Sequence, residues 1–392
     1  MRKGPFRFSW AEDARPRRGN GRLVVISHGS GGSPWVHVDL ARVLVERGFT
    51  VALPQHAGDN FEDSSEPGPT SWVRRPGEVS QAIDRVAADG RLAQHLRLDA
   101  VGVFGGSAGG HTALSLAGGE WSPSRFRDHC LLNIDQDFSS CVGFVTVRRG
   151  DGLDAIKTWA AKLVIRLRFS DDTPQRHTDP RIGAVVAMVP FAADFDPESL
   201  RRPIVPLGLV IADQDVNQVP RFHVEPVRAA CEPRCQVLTR LKEGGHGAML
   251  SPLPPFESGS VAQRLLDDPP SFNRAAAMPA LHAGIAGFFV RHLGSGLLGQ
   301  ADQVQGPCRE VAAEHAIDSG KAKDEQGRRD DGGVQGVHDC VNVLREEDGH
   351  DHGKRDPAAR NEVRLRGCVV ADSPVAKHGM SNHSGDSQCD GP

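Results

Sequence analysis

The sequence predicts an α/β fold with a mostly parallel central sheet, helices on both faces and a disordered C-terminal tail. From Arg22 to about Leu293, short runs rich in β-branched residues alternate with amphipathic stretches, which is the pattern of strands joined by helices. A glycine-rich turn at 105–110 connects one such run directly to a helical stretch. Residues 295–392 contain no Phe, Trp or Tyr and show little periodicity, so they cannot bury enough apolar area to offset chain entropy.

The runs that predict strands are apolar almost without interruption, as in parallel sheets that are covered on both faces. We place strands at 23–27, 50–53, 100–104, 184–189, 207–211 and 236–241. The amphipathic stretches predict helices at 38–47, 79–88 and about 273–292. Leu40, Val43 and Leu44 share one face of the first helix, and Gly48 ends it.

The chain divides into an N-terminal arm at 1–20, one α/β domain at 21–294 and the tail at 295–392. Between about 120 and 180 the alternation stops, which predicts a cap-like or lid-like insertion. Apolar residues at helical spacing in this insertion fit a lid helix or an ordinary surface-packing helix. This apolar stripe consists of Leu153, Ile156, Trp159, Ala160, Leu163, Val164 and Leu167. Basic residues such as Lys162 and Arg166 leave a membrane-surface helix as a third interpretation.

The charge and the apolar runs of the sequence indicate which classes of partner and which location to expect. A net charge of −4 argues against a nucleic-acid or membrane partner, and no apolar run reaches the length of a membrane span. The basic N-terminus lacks the apolar segment of a secretion signal, so the sequence as written predicts a cytoplasmic protein. A periplasmic or secreted location is the alternative if the true start lies upstream.

The eight cysteines are scattered without the paired spacing of a zinc site. Cys231 and Cys235 are the closest pair, and no second pair lies near them in the sequence, so we expect no metal there. Cys130 and Cys141 flank a loop and would form a disulfide in an oxidising compartment. In the polar tail we expect solvated side chains and no metal site at His338, Cys340, His350 and His352.

The turn at 105–110 predicts a catalytic serine. Gly105, Ser107 and Gly109 match the G-x-S-x-G pattern, in which a serine sits on a strained turn between a strand and a helix. Glycine is favoured on either side because a Cβ there would collide with the neighbouring strand and helix. The alternative is a glycine-rich turn without a catalytic function.

A serine hydroxyl is a weak nucleophile at neutral pH and needs a base, which in turn needs an acid to orient it. In proteins with this turn, the acid and then the histidine follow later strands. Asp213 and Asp215 follow the strand at 207–211, and we prefer Asp215 because it lies deeper in the loop. His246 follows the next strand, at the tip of a Gly-Gly turn. The predicted catalytic residues are therefore Ser107, Asp215 and His246.

Two backbone N–H groups must stabilise the negative charge that develops on the reacting carbonyl oxygen. Ala108 follows the serine at the N-terminus of its helix, and Ser30 lies in the glycine-rich loop after the first strand. We therefore predict an oxyanion hole formed by the N–H groups of Ser30 and Ala108. Gly29 and Gly31 do not belong to a dinucleotide-binding fingerprint, because Pro34 replaces the third glycine of that pattern.

These residues together resemble the α/β-hydrolase superfamily, and within it the bacterial predicted dienelactone hydrolases and the platelet-activating-factor acetylhydrolases. The resemblance covers about residues 5–293. The matching segments are 27–33, 54–60, 72–76, 105–110, 179–182, 245–246 and 268–272, together with the final helix. The resemblance implies an eight-stranded type of sheet, a Ser-Asp-His triad and hydrolysis of a small-molecule carboxylic ester without a metal or other cofactor. True dienelactone hydrolases carry a cysteine where this chain has Ser107, so their substrate is not expected here.

Two other functions are compatible with the same residues. An acyltransferase would use the same triad and the same acyl-enzyme on Ser107, but an alcohol or amine would accept the acyl group in place of water. A non-catalytic protein with a hydrolase fold would retain the architecture without turnover. The expected function is that of a serine esterase.

Overall fold

A mostly parallel sheet forms the centre of the protein. The structure is a computed structural model that describes residues 2–3, 5–8, 14–294 and 364–368. In this part of the chain the strands are β1 Arg2–Lys3, β2 Phe6–Arg7, β3 Leu23–Ser27, β4 Thr50–Gln55, β5 Val101–Gly106, β6 Glu120–Trp121, β7 Ile182–Met188, β8 Phe195–Asp196, β9 Leu207–Ala212, β10 Cys235–Leu241 and β11 Arg364–Cys368.

The central sheet contains seven of these strands in the order β10–β9–β7–β5–β3–β4–β11. Neighbouring strands from β10 to β4 are parallel, whereas β11 pairs antiparallel with β4. Strands β3, β5 and β9 are buried along their whole length, which explains their unbroken apolar character. The predicted α/β fold with a mostly parallel sheet is confirmed, and all six predicted strands belong to this sheet.

Helices cover both faces of the sheet, as predicted. Among the described residues they are α1 Val38–Glu46, α2 Thr70–Ala88, α3 Gly90–Ala93, α4 Ala108–Leu116, α5 Pro123–Asn133, α6 Phe138–Val142, α7 Leu153–Arg168, α8 Val224–Cys231, α9 Val261–Leu266 and α10 Arg274–Leu293. Short 3₁₀ helices occupy Pro34–His37, Gly143–Val145, Pro197–Leu200 and His246–Met249. Across these residues, every helix is too short or too polar to span a lipid bilayer.

Successive residues of each strand enter two separate apolar cores. Val25 belongs to the core that contains residues of α2, α4 and α8, whereas Val24 belongs to the core that contains residues of α1 and α10. This division follows from the strand geometry, because neighbouring side chains point to opposite faces of a sheet. The carboxyl ends of the parallel strands therefore meet at one edge, between two packed layers of helices.

Helix α2 begins at Thr70, whereas the amphipathic pattern predicted a start at Val79. Proline normally ends or kinks a helix, yet Pro76 lies inside α2 and is buried. Trp72 anchors the first turns against Phe191, with ring centroids 4.4 Å apart. Tertiary packing therefore outweighs the backbone hydrogen bond that the proline removes.

The segment at about 120–180 contains α5, α6 and α7, outside the alternation of strands and helices. A disulfide joins Cys130 of α5 to Cys141 of α6. In α7 only Asp154 and Ile165 are buried, so the apolar stripe is not the face with which this helix packs on the protein. The role of the segment as a cap or lid stays a prediction.

The structure also describes the Cys231–Cys235 pair and one strand of the C-terminal segment. Cys231 and Cys235 form a second disulfide, between α8 and β10. Strand β11 falls within the segment 295–392 that was predicted to be disordered, and it pairs with the edge of β4. Such an edge presents backbone N–H and C=O groups with which any extended segment can pair. The rest of the tail, including His338, Cys340, His350 and His352, lies outside the described residues, as does 9–13 of the arm.

Candidate active site

Ser107 sits at the junction between β5 and α4, in a strained backbone conformation. Its φ of 56° and ψ of −118° are rare for a residue with a side chain. The surrounding backbone holds the turn in place: the Ser107 N–H donates to the Met188 carbonyl at 3.1 Å, and the Ser107 carbonyl accepts from the N–H groups of His111 and Phe191. The predicted sharp turn between strand and helix is therefore present.

The glycines around Ser107 are required by close backbone contacts. A Cβ on Gly105 would lie 1.9 Å from the Gly109 carbonyl oxygen, and a Cβ on Gly109 would lie 2.0 Å from the Ser27 carbonyl oxygen. Backbone atoms on both sides leave no room for a side chain, as the sequence argument expected. The close approach also places the start of α4 directly against the end of β3.

Asp215 and His246 form a buried pair. His246 Nδ1 lies 2.6 Å from Asp215 Oδ2, and the two residues are 1% and 4% exposed. Asp215 Oδ1 accepts hydrogen bonds from the N–H groups of Asn217 at 2.8 Å and Gln218 at 2.7 Å. The loop thus fixes the carboxylate, which in turn orients the imidazole.

The structure distinguishes the two candidate acids. Asp213 Oδ2 accepts a hydrogen bond from Arg240 Nε at 3.0 Å in a partly exposed pair, and Asp215 is the one that contacts His246. Because Asp215 binds Nδ1, the other ring nitrogen of His246 is left for a second partner. This Nε2 is buried and has no hydrogen-bond partner among the described residues, Ser107 included.

The turn that carries His246 packs directly on the Ser107 turn. Met249 lies in the same 3₁₀ helix as His246, and its sulfur would be 2.9 Å from a Cβ on Gly106. A Cβ on Gly29 would lie 3.4 Å from both Met249 Cε and Ser107 Cβ. Three loops, those carrying Gly29, Ser107 and His246, therefore converge at the carboxyl ends of the strands. This is the edge at which α/β sheets bind their ligands.

The two predicted oxyanion-hole residues lie in these converging loops. Ser30 Oγ donates to Asp59 Oδ1 at 2.5 Å, and the Gly31 N–H donates to the same oxygen at 3.1 Å. The Ser30 hydroxyl is thus bound to Asp59, and a role of the Ser30 backbone N–H in an oxyanion hole stays a prediction. Ala108 is the first residue of α4, where a backbone N–H has no intrahelical acceptor and the helix dipole favours negative charge.

Arg75 is a residue of the site for which the sequence analysis predicted no role. It is fully buried, and Nη2 donates to Asp59 Oδ2 at 2.8 Å and to the Gly29 carbonyl at 3.3 Å. A further donor, Nη1, binds the His28 carbonyl. One guanidinium therefore ties together the loop that carries Ser30 and the loop that carries Asp59. Burial raises the pKa of Asp59, but Arg75 and the bonds from Ser30 outweigh it and hold that pKa below its usual value.

A signal for Arg75 was present in the sequence. Arg75 lies three residues after Trp72 and four before Val79, on the face of α2 that packs against the sheet. A charged residue at such a position needs a buried partner, since arginine is almost never fully buried unless it is paired. The identity of the partner, Asp59, depends on a contact between α2 and the loop after β4.

A second buried network lies beside the loop that carries Ser30. His56 Nδ1 is 2.6 Å from Glu78 Oε2, and His56 Nε2 is 2.7 Å from Ser27 Oγ. The backbone N–H of His56 donates to His28 Nε2 at 3.1 Å. Burial lowers the pKa of both histidines and raises the pKa of Glu78. The network holds Ser27 at the end of β3, directly before the loop that carries Ser30.

His129, Asp137 and His223 are residue types that can bind a metal, and they lie close together next to Phe191. Their contacts are those of a hydrogen-bond network. His223 Nε2 and His129 Nε2 lie 3.0 and 2.7 Å from the same oxygen of Asp137. His223 Nδ1 accepts from the Ala192 N–H at 3.0 Å, so its proton is on Nε2 and points at the carboxylate. A metal-bound histidine normally donates from its second nitrogen, and here that nitrogen accepts. The cluster joins the loop between α5 and α6 to the start of α8.

Comparisons with known proteins place this architecture in a family. The sequence matches the model of the alpha/beta hydrolase family over residues 23–257, which includes the Ser30 loop, Ser107, Asp215 and His246. No curated protein matches the chain. Among solved structures, the chain is similar to a ferulic acid esterase from Streptomyces cinnamoneus, with 18% identity, a TM-score of 0.44 and 74% of each chain covered. On the family match, which spans more than half of its residues, the chain belongs to the alpha/beta hydrolase family.

Proposed function

We propose that this protein is a serine hydrolase that cleaves carboxylic esters through an acyl-enzyme on Ser107. The observation that carries the proposal is the buried Asp215–His246 pair, at 2.6 Å, whose free Nε2 lies in the turn packed against Ser107. Family membership supports a hydrolase, and the strained Ser107 turn supports a nucleophilic serine. We also propose that, within the family, the protein is related to the dienelactone hydrolases and the platelet-activating-factor acetylhydrolases.

Each residue of the proposed site has a separate role in ester hydrolysis. His246 Nε2 takes the proton of the Ser107 hydroxyl as its oxygen attacks the ester carbonyl, and Asp215 stabilises the resulting imidazolium. The N–H groups of Ser30 and Ala108 hold the oxyanion of the tetrahedral intermediate. The intermediate collapses to the acyl-enzyme when the leaving alcohol receives the proton from His246. Water then attacks the acyl-enzyme with His246 as the base, which releases the acid and restores Ser107.

The test is the loss of turnover in Ser107→Ala. We expect hydrolysis of p-nitrophenyl acetate to fall by about 10⁶-fold, because members of a catalytic triad act as one unit. Ser170→Ala, at an exposed serine, is the matched control and should keep the native rate. Retained hydrolysis in purified, folded Ser107→Ala would contradict the assignment. A fluorophosphonate probe that fails to label the folded native protein would favour a non-catalytic function instead.

An acyltransferase would share every step up to the acyl-enzyme. The partition of the acyl group between water and an added acceptor alcohol separates the two functions. The partition is measured with a panel of esters of increasing acyl length. With each ester that is turned over, we expect the free acid to be the main product.

A further inference from the structure

Helix α7 exposes a set of large apolar side chains that a packed surface helix would bury. Trp159 is 68% exposed, Ile156 62%, Leu153 59% and Leu167 75%. Only Asp154 and Ile165 of this helix are buried, and Ile165 joins the apolar core beneath it. Contiguous exposed apolar surface on a soluble domain marks a site of interaction.

The exposed side chains form one continuous face. Residues 153, 156, 160, 163, 164 and 167 recur at the spacing of a single helix face, and Asp154 and Ile165 lie on the opposite side. The apolar stripe therefore points away from the protein. It does not cover the Ser107 site in this structure, and any partner must approach it from solvent.

The charges around the apolar stripe define the kind of partner. Residues 148–168 carry six basic and two acidic side chains, a local charge of +4, although the whole chain has a net charge of −4. By helical spacing, Lys162 and Arg166 border one side of the stripe, and Lys157 and Arg168 border the other. Both acids lie close to Lys157, Asp154 at 2.8 Å and Asp151 at 3.8 Å, and Asp135 lies 3.3 Å from Arg148.

We propose that α7 is an interfacial helix that docks the protein on the surface of an anionic lipid membrane. Leu, Ile and Trp side chains on one face with Lys and Arg along its edges are the pattern of helices that lie in the headgroup region. The stripe would enter the acyl boundary, and Lys162 and Arg166 would meet the lipid phosphates. Lys157 pairs with Asp154, and Arg168 donates to the Gly68 carbonyl, so these two cations contribute less. A second copy of the chain is a poorer partner, because two copies of this net basic face would repel each other. The local charge thus overrides the argument from net charge against a membrane partner.

The test measures binding of the full chain to vesicles of equimolar phosphatidylglycerol and phosphatidylcholine by sedimentation. The native protein should bind these vesicles, bind pure phosphatidylcholine much more weakly and dissociate at high salt. Lys162→Gln and Arg166→Gln should each weaken binding about fivefold, as expected for one basic residue at an anionic surface. The double variant Ile156→Ser/Trp159→Ser should lose about tenfold or more.

Matched controls separate the surface from general effects. Arg42→Gln on α1 and Val290→Ser on α10 remove an exposed cation and an exposed apolar side chain elsewhere, and should bind like the native protein. Far-UV circular dichroism and the melting temperature confirm that each variant is folded. Trp159→Phe should reduce the blue shift of tryptophan emission that vesicles induce, because Trp159 is exposed whereas Trp35, Trp72 and Trp121 are buried. Trp10 lies outside the described residues, so Trp10→Phe is measured beside it and should keep the shift.

Two results would overturn the proposal. One is the absence of binding by the native protein, or equal binding by native protein and the α7 variants. The other is a native dimer in solution that Ile156→Ser/Trp159→Ser converts to a monomer, which would make α7 a contact between copies. Neither result depends on ester hydrolysis, so Ser107→Ala should bind vesicles like the native chain.

Discussion

Arg75 Nη2 lies 2.8 Å from Asp59 Oδ2, in a buried ion pair directly behind the loop that carries Ser30. Because Asp59 also accepts from the Ser30 hydroxyl and the Gly31 N–H, the pair holds the loop that carries Ser30. Arg75 touches no reacting atom in the proposed mechanism. If the proposed mechanism holds, we expect Arg75 to act as a positioning residue for the N–H group of Ser30.

Replacing Arg75 should therefore affect stability and turnover together. Arg75→Met leaves the Asp59 carboxylate buried without a counter-charge, which we expect to cost about 3–5 kcal/mol in the free energy of unfolding. If the folded variant misplaces the Ser30 N–H, kcat should fall by about 10²–10³-fold with little change in KM. Urea unfolding and steady-state kinetics measure the two effects.

The exposed pair Arg201–Glu198 provides the control for Arg75→Met. Arg201→Met should change the free energy of unfolding by about 1 kcal/mol or less and leave kcat unchanged, because exposed ion pairs contribute little. An Arg75→Met variant that is as stable and active as Arg201→Met would show that the buried pair does not position the loop.

Asp215 and Asp213 offer a direct comparison of two neighbouring carboxylates. Asp215→Asn should lower kcat by about 10⁴-fold, because an amide at this position no longer holds the histidine with Nε2 ready to accept a proton. Asp213→Asn loses only the contact with Arg240 and should lower kcat by less than about tenfold. The ratio of the two kcat values for p-nitrophenyl acetate decides the assignment, and equal losses would contradict it.

Gly105 and Gly287 have opposite requirements for a side chain. A Cβ on Gly105 meets the Gly109 carbonyl oxygen at 1.9 Å, so Gly105→Ala should destabilise the protein by about 3 kcal/mol or more. Around Gly287, inside α10, an added Cβ would meet no described atom within 4 Å beyond the neighbouring backbone of its own helix. Gly287→Ala should stabilise the protein by about 1 kcal/mol through helix propensity. Urea unfolding of the two variants checks both signs, and a stable Gly105→Ala would mean that the turn is looser than described.

The features predicted correctly from the sequence depend on local patterns. The strands follow from unbroken apolar runs, and the Ser107 turn follows from glycines whose spacing reflects contacts between adjacent elements. Asp215 was preferred for its depth in the loop, and the structure places it against His246. Each of these predictions used a pattern of a few consecutive residues.

The features missed from the sequence depend on contacts between distant segments. Arg75 pairs with Asp59, and β11 pairs with β4, which is some three hundred residues earlier in the chain. Helical spacing alone did not show that the apolar stripe of α7 faces solvent, because a buried face and an exposed face have the same period. Tertiary packing also extended α2 through Pro76.

The Cys130–Cys141 disulfide bears on both stability and location. It closes a short loop between α5 and α6, so the double variant Cys130→Ser/Cys141→Ser should lose about 2–4 kcal/mol in the free energy of unfolding. We propose an oxidising location, periplasmic or secreted, because disulfides persist there and are rare in the cytoplasm. Mass spectrometry after alkylation of the native protein should find both cysteines unmodified, and alkylation of both would contradict the proposal.

Buried histidines should make the protein sensitive to mild acid. Burial, with a smaller effect from the nearby His282, lowers the pKa of His37 to about 4, from an ordinary value of 6.5. The unfolded chain therefore takes up a proton at a higher pH than the folded chain. The free energy of unfolding therefore has its full value with respect to His37 above pH 6.5, and it falls as the pH is lowered from there towards 4.

By pH 5 the loss for His37 alone should reach about 2 kcal/mol. His37→Gln removes this proton uptake, so its free energy of unfolding should fall less steeply between pH 7 and pH 5 than that of the native protein. Ser170→Ala, which removes no titratable group from an exposed position, is the control and should keep the native slope. Urea unfolding at a series of pH values gives the slopes, and parallel curves for native protein and His37→Gln would show that His37 is not held neutral by burial.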